Sequence, residues 1–166
     1  MTTVLHVTDI AEDFVTAAAA LEAKDALEVD DLRLMFRLER AGEEFYRQLA
    51  EGCDNVEAAD LLRKNGREER GHAERLRRAI GLKLGVDYQP DDDDLRPLAV
   101  SVPNPLPLEM LPHIVAGEIN GDAGYQRWAD AETNPEVQRL LRQNGREESA
   151  HGERVREAMG ILGVSA

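Results

Sequence analysis

The chain has 166 residues with 33 acidic against 20 basic side chains, a formal net charge of −13, and at that length one domain buries close to ~70% of the surface its unfolded chain exposes. Such acidity, without a clustered basic patch, argues against nucleic acid as the main partner, because phosphate neutralisation needs concentrated Lys and Arg. The one cysteine, Cys53, excludes an internal disulfide framework and any four-thiolate metal site, and it suits a reducing cytoplasm.

No Lys or Arg precedes Lys24 and no apolar run approaches ~18 residues, so neither a secretory signal nor a membrane span is expected. Residues 1–29 read as an N-terminal helical extension. Asp9 followed by Glu12 resembles a capping box, and Ile10, Phe14, Ala17 and Leu21 have helical spacing. An amphipathic helix there offers a surface to a partner or a second copy.

Residues 30–81 read as a helical hairpin. In its first helix, Leu32, Met35, Glu39, Gly42, Tyr46 and Leu49 alternate steps of three and four and so share one stripe. Gly52 to Asn55 signal the turn, with Asn55 as the cap of the second helix. That helix carries Ala58, Leu62, Asn65, Glu69, His72, Leu76 and Ala79 on its stripe. Residues 82–110 change character: they hold five of the seven prolines, with Pro112 just beyond, and the run Asp91 to Asp94. This stretch reads as a long extended crossover whose aspartates are solvated. Residues 111–162 read as a second hairpin, in which Asn134-Pro135-Glu136 is an N-cap, a proline at the first helical position and an acid in the first turn.

The two hairpins are one pattern written twice. Shifting the chain by 79 residues without a gap aligns 39–81 with 118–160 at 20 identities in 43 positions, including Asn-Gly-Arg-Glu-Glu at 65–69 and 144–148. The second hairpin's stripes are Leu111, Ile114, Glu118, Gly121, Tyr125 and Trp128, then Val137, Leu141, Asn144, Glu148, His151, Val155 and Ala158. Four stripes imply an all-α four-helix bundle over residues 30–162, two hairpins joined by the crossover.

Glutamate belongs on a solvated face, yet Glu39, Glu69, Glu118 and Glu148 stand where the pattern asks for Leu. An uncompensated buried carboxylate costs several kcal/mol, so four together demand protons, water or cations. Glu69 and His72, like Glu148 and His151, are three apart and share a helix face. The midpoint of 39 and 69 is Asp54 and that of 118 and 148 is Thr133, both in turn signals. Each pair therefore comes level across its hairpin about 18 Å from the tip. Four carboxylates and two neutral imidazoles balance two divalent cations, or two ferric ions with one oxide. Ligands without thiolate suit iron or manganese, with zinc competing.

The set Glu39, Glu69-x-x-His72, Glu118 and Glu148-x-x-His151 resembles the ferritin-like di-iron carboxylate family. The resemblance covers roughly residues 30–162, with rubrerythrins and bacterioferritins the nearest branches. It implies two iron ions, with Glu39 and Glu118 terminal, Glu69 and Glu148 bridging, and His72 and His151 on one ion each. Tyr46 and Tyr125 resemble the tyrosine beside the metals in ferritins. They are the candidate catalytic side chains, as hydrogen-bond donors to a ligand or, more remotely, as electron relays. The chain departs from the pattern where rubrerythrins place an extra Glu, here Gly121, and where bacterioferritins place a haem-binding Met, here Arg70. No haem and no built-in rubredoxin domain are expected.

The resemblance implies an oxidoreductase of ferroxidase or peroxide-reducing type, taking O2 or H2O2 and an external reductant, in a homodimer or higher homo-oligomer. Two alternatives stand beside it: a di-iron oxygenase or hydroxylase, and a non-catalytic metal-stabilised interaction module. No pocket for an organic substrate is recognisable. Asn65 and Asn144 read equally as hydrogen-bond partners of the ligands or as register devices. Glu68 and Glu147 fall about 100° from the ligand face and read as solvated. Gly42 and Gly121 either open a path for the oxidant or allow close packing. His6, Cys53 and His113 receive no role.

Overall fold

The computed structural model describes residues 12–165, and these fold as a helical bundle. In chain order the elements are α1 (Phe14–Glu22), α2 (Val29–Glu51), α3 (Val56–Leu84), a four-residue helix α4 (Asp92–Leu95), a 3-10 turn (Leu108–Met110), α5 (Leu111–Ala131) and α6 (Pro135–Ile161). Both anticipated caps are made. Asn55 accepts from the Ala58 amide at 3.0 Å, and Asn134 accepts from Glu136 and Val137 at 3.0 and 3.3 Å. Each satisfies an amide that the first helical turn leaves without a partner.

The apolar stripes meet as their spacing requires, with α2 on α3, α5 on α6 and α3 on α6. The buried core is divided along the bundle axis. One cluster holds Leu32, Met35, Leu76, Tyr125, Trp128 and Leu141, the other Tyr46, Leu49, Leu62, Leu111 and Val155. Between them lies the layer of glutamates and histidines, so the polar groups are walled off from water at both ends.

The crossover departs from its reading as a solvated linker. Asp94 is buried and accepts from Arg33 Nε at 2.6 Å and from the Tyr88 hydroxyl, while Asp91 caps α4 and pairs with Arg33 at 2.7 Å. Arg37 then donates to the Arg96 carbonyl, Gln48 accepts from the Val102 amide, and the Gly52 carbonyl accepts from the Leu106 amide. Groups progressively later along α2 and its C-cap thus hold positions progressively later in the crossover. The crossover consequently runs parallel to α2 and delivers α5 antiparallel to it, which brings the two hairpins into one layer.

The anticipated capping box at Asp9 and the residue Ile10 lie outside the described residues, as does His6. Asp13 caps α1, accepting from the Thr16 amide at 2.8 Å. Ala17 and Leu21 are buried, and the Phe14 ring stacks on Phe45 at 5.2 Å. The start of α1 is tied to the crossover by the paired backbones of Asp13 and Ala99. Its end is held by Arg127 and Trp128, which donate to the Lys24 carbonyl. α1 therefore lies across the crevice between α2 and α5.

Candidate metal centre

The structure brings Glu39 from α2, Glu69 and His72 from α3, Glu118 from α5, and Glu148 and His151 from α6 into one cluster in the middle of the bundle. Five of the six are buried and Glu118 is partly exposed, because it faces the α2–α5 crevice. Within the cluster are two overlapping ligand groups, Glu39, Glu69, His72 and Glu148, and Glu118, Glu148 and His151.

The two histidines face inward through Nδ1. His72 Nδ1 lies 3.4 Å from Glu39 Oε2, 3.4 Å from Glu69 Oε2 and 3.3 Å from Glu148 Oε1. His151 Nδ1 lies 3.3 Å from Glu69 Oε1, 3.4 Å from Glu148 Oε2 and 3.8 Å from Glu118 Oε2. Glu69 and Glu148 therefore turn one oxygen to each histidine, while Glu39 and Glu118 serve one histidine each. Donor atoms held ~2.0–2.2 Å from one ion, at tetrahedral to octahedral angles, stand about 2.8–3.6 Å apart. Five of the six separations fall inside that range.

Among the described residues, His72 Nδ1 and His151 Nδ1 are the buried side-chain polar atoms that make no hydrogen bond. Such an orphan costs ~1–3 kcal/mol. Two of them, each surrounded by carboxylate oxygens, fit a donor set built around cations.

Behind the ligand candidates, a set of polar groups pairs across the two hairpins. His72 Nε2 lies 3.1 Å from Glu147 Oε2, and His151 Nε2 lies 3.2 Å from Glu68 Oε2. Arg75 pairs with Glu147 and donates to Asn144, while Arg154 pairs with Glu68 at 2.9 Å and donates to Asn65 at 2.6 Å. Asn65 and Asn144 donate in turn to the backbone carbonyls of His151 and His72. Glu68 and Glu147 are thus not free solvated acids: they orient the imidazoles from behind. The rotation of about 100° that separates them from the ligand face on their own helix points them at the facing helix. Their recurrence in both halves, together with Arg75 and Arg154, was the available signal.

The tyrosines also cross over. Tyr46 donates to Glu118 and Tyr125 to Glu39, each seven residues from one of these two glutamates but bonded to the other. Burial and the facing carboxylates push both phenols well above their usual pKa, so each remains a protonated donor. Burial and the Glu39 charge raise Glu69, and burial and Glu148 raise Glu118 further. Burial opposes charge on the histidines, but the carboxylates outweigh it, raising His72 and lifting His151 to about 9. Protons and cations compete for this layer.

A rubrerythrin family model matches residues 30–159. The chain belongs to the rubrerythrin family. Comparisons with curated proteins and with solved structures returned no match. For this rubrerythrin the fold and the buried Glu/His cluster suit a di-iron site. Among its described residues no helix is long and apolar enough to cross a membrane.

The tertiary structure adds a pocket that the sequence does not announce. A cavity of about 590 Å³ lies between α1, α2 and α5 and reaches Glu39, Glu69, Glu118 and Glu148. Three separate segments build its walls, so no local pattern marks it. Gly42 and Gly121 both line it, but only Gly42 is required by close approach. A Cβ there would stand 2.9 Å from Glu69 Cδ, whereas one at Gly121 would stand 3.5 Å from the nearest Glu148 atom.

Proposed function

We propose that the protein is a di-iron oxidoreductase that reduces H2O2, or O2 in ferroxidase turnover, with electrons from an external donor. The observation that carries this reading is the pair of partnerless imidazole nitrogens, each facing one unshared and two shared carboxylates. Glu69 and Glu148 would span both ions, Glu39 with His72 would hold one, and Glu118 with His151 the other. A bound iron pair supplies the two electrons of H2O2 + 2 e⁻ + 2 H⁺ → 2 H2O. Manganese or zinc suits the same donors, and zinc would leave the site without redox chemistry.

The protein's own groups supply position and protons. Tyr46 and Tyr125 fix the terminal carboxylates from the opposite hairpin. Glu68 and Glu147, held by Arg154 and Arg75, set which imidazole nitrogen turns inward. The oxidant enters through the cavity beneath α1, between α2 and α5, where Glu118 is partly exposed. A homo-oligomeric assembly belongs to the same proposal and is tested by sizing the native particle.

The deciding experiment is anaerobic titration with Fe(II), followed by H2O2 or O2 in stopped flow. Two Fe(II) per chain, oxidised within seconds with one H2O2 consumed per pair, is the expected result. Metal binding without rapid oxidation would instead identify a structural module. The apolar cavity favours a second reading, oxidation of an organic substrate. It predicts slow oxidation of the iron until such a molecule is added.

A further inference from the structure

We propose that the cavity between α1, α2 and α5 is a binding site for an uncharged, largely hydrocarbon molecule. Its volume of about 590 Å³ lies within the ~300–1,000 Å³ typical of pockets that enclose a drug-sized ligand. H2O2, about as large as two waters at ~30 Å³ each, uses a small part of it. An oxidant channel alone does not account for the remaining space.

The lining states what the occupant is made of. Phe14, Met35, Leu38, Phe45, Ile114 and Trp128 form apolar walls, and α1 forms the roof. The glutamates of the metal layer lie at the floor and Glu22 at the rim. An anionic head group would face these acids in a low-dielectric space. Arg127, the arginine of the lining, already donates to the Glu22 and Lys24 carbonyls and lies over the Trp128 ring at 5.6 Å. His113, the other basic side chain of the lining, is solvent-exposed, so an anion buried in the cavity would lack a partner and is disfavoured. A cation loses its attraction once two divalent ions neutralise the floor. That clause alone rests on the dimetal reading.

Two probes share one skeleton and differ by a sulfonate: neutral N-phenyl-1-naphthylamine and anionic 1-anilinonaphthalene-8-sulfonate. Each is titrated into the full chain, as purified and again after chelation of metal. Trp128, the chain's one tryptophan, lines the cavity and reports occupancy by energy transfer to the naphthalene. The expected result is saturable binding of one neutral probe per chain with Trp128 quenched, and binding of the anionic probe at least tenfold weaker in both states. Gly117→Leu and Ala18→Phe fill the cavity from opposite walls, the former into space with nothing within 4 Å of the new Cβ. Each should weaken the neutral probe at least tenfold, with metal content measured separately. Absence of saturable binding, equal affinity for both probes, or unchanged affinity in both variants overturns the proposal. So does binding that emerges only after residues 1–11 are deleted, since the chain itself would then be the occupant.

Discussion

Replacing each of two equivalent glycines by alanine separates what the repeated sequence makes equal from what packing makes unequal. Gly42 and Gly121 stand three residues after Glu39 and Glu118, and either change gains ~0.8–1 kcal/mol of helix propensity. At position 121 the new methyl finds ordinary contact, its nearest neighbour being Glu148 Cγ at 3.5 Å. Gly121→Ala should therefore raise the melting temperature by about 2–4 °C and leave metal affinity within twofold of the parent. At position 42 the methyl would lie 2.9 Å from Glu69 Cδ and 3.1 Å from Glu69 Oε2. Ordinary contact is restored only if the carboxylate retreats by about half an ångström, beyond the ~0.2 Å tolerance of a metal–ligand distance. The carboxylate end moves more readily than backbone, so the cost falls on the ligand. Gly42→Ala should lower metal affinity about 10–100-fold, with a melting temperature near the parent's when metal is removed. Calorimetric titration with Zn(II) or Mn(II), paired with thermal melts of the chelated proteins, measures both. Equal behaviour of the two variants would refute the argument.

The two ligand groups predict separable losses: His72→Ala and His151→Ala each retain about one ion per chain, while Glu69→Ala, whose oxygens face both histidines, retains neither, as read by elemental analysis. Tyr46→Phe removes the donor to Glu118 and should cost the metal-free protein about 1.5–3 kcal/mol in chemical denaturation, without changing metal stoichiometry; an unmoved midpoint would count against it. Arg154→Ala strips partners from Glu68 and Asn65, so binding at the His151 side should weaken about 10–100-fold while the His72 side is spared. Asp13, held by its bonds from Thr16 below the usual aspartate value of 3.8, stabilises α1 fully above that pH and loses this contribution as pH falls through its lower folded pKa. Hydrogen exchange in residues 14–18 should accordingly be faster in Asp13→Asn than in the parent above pH 3.8, and the difference should close below it.

Much of the centre was legible because helices obey a local rule. Side chains three and four apart share a face, so glutamates at apolar positions with histidines one turn on mark a polar layer before any fold is known. The hairpin midpoints at Asp54 and Thr133 place those groups level by counting alone. Caps such as Asn55 and Asn134 are equally local, since an amide and its acceptor lie within three residues. The partners of Tyr46, Glu68, Arg75 and Asp94 were not legible. Tyr46, Glu68 and Arg75 reach partners at least 69 residues away, and Asp94 combines the neighbouring Tyr88 with Arg33, 61 residues away. Glu68 looked solvated on its own helix and became an imidazole partner only when α6 supplied His151.

By itself the sequence determined the four bundle helices, their buried stripes and the six metal-ligand candidates, all of them consequences of spacing along one chain. Only the tertiary structure decided that each tyrosine serves the opposite hairpin, that Gly42 is tight where Gly121 is loose, and that α1 roofs an apolar cavity beside the carboxylates. Those features depend on how separate helices approach one another, and helical periodicity specifies which face is buried but not which residue it meets.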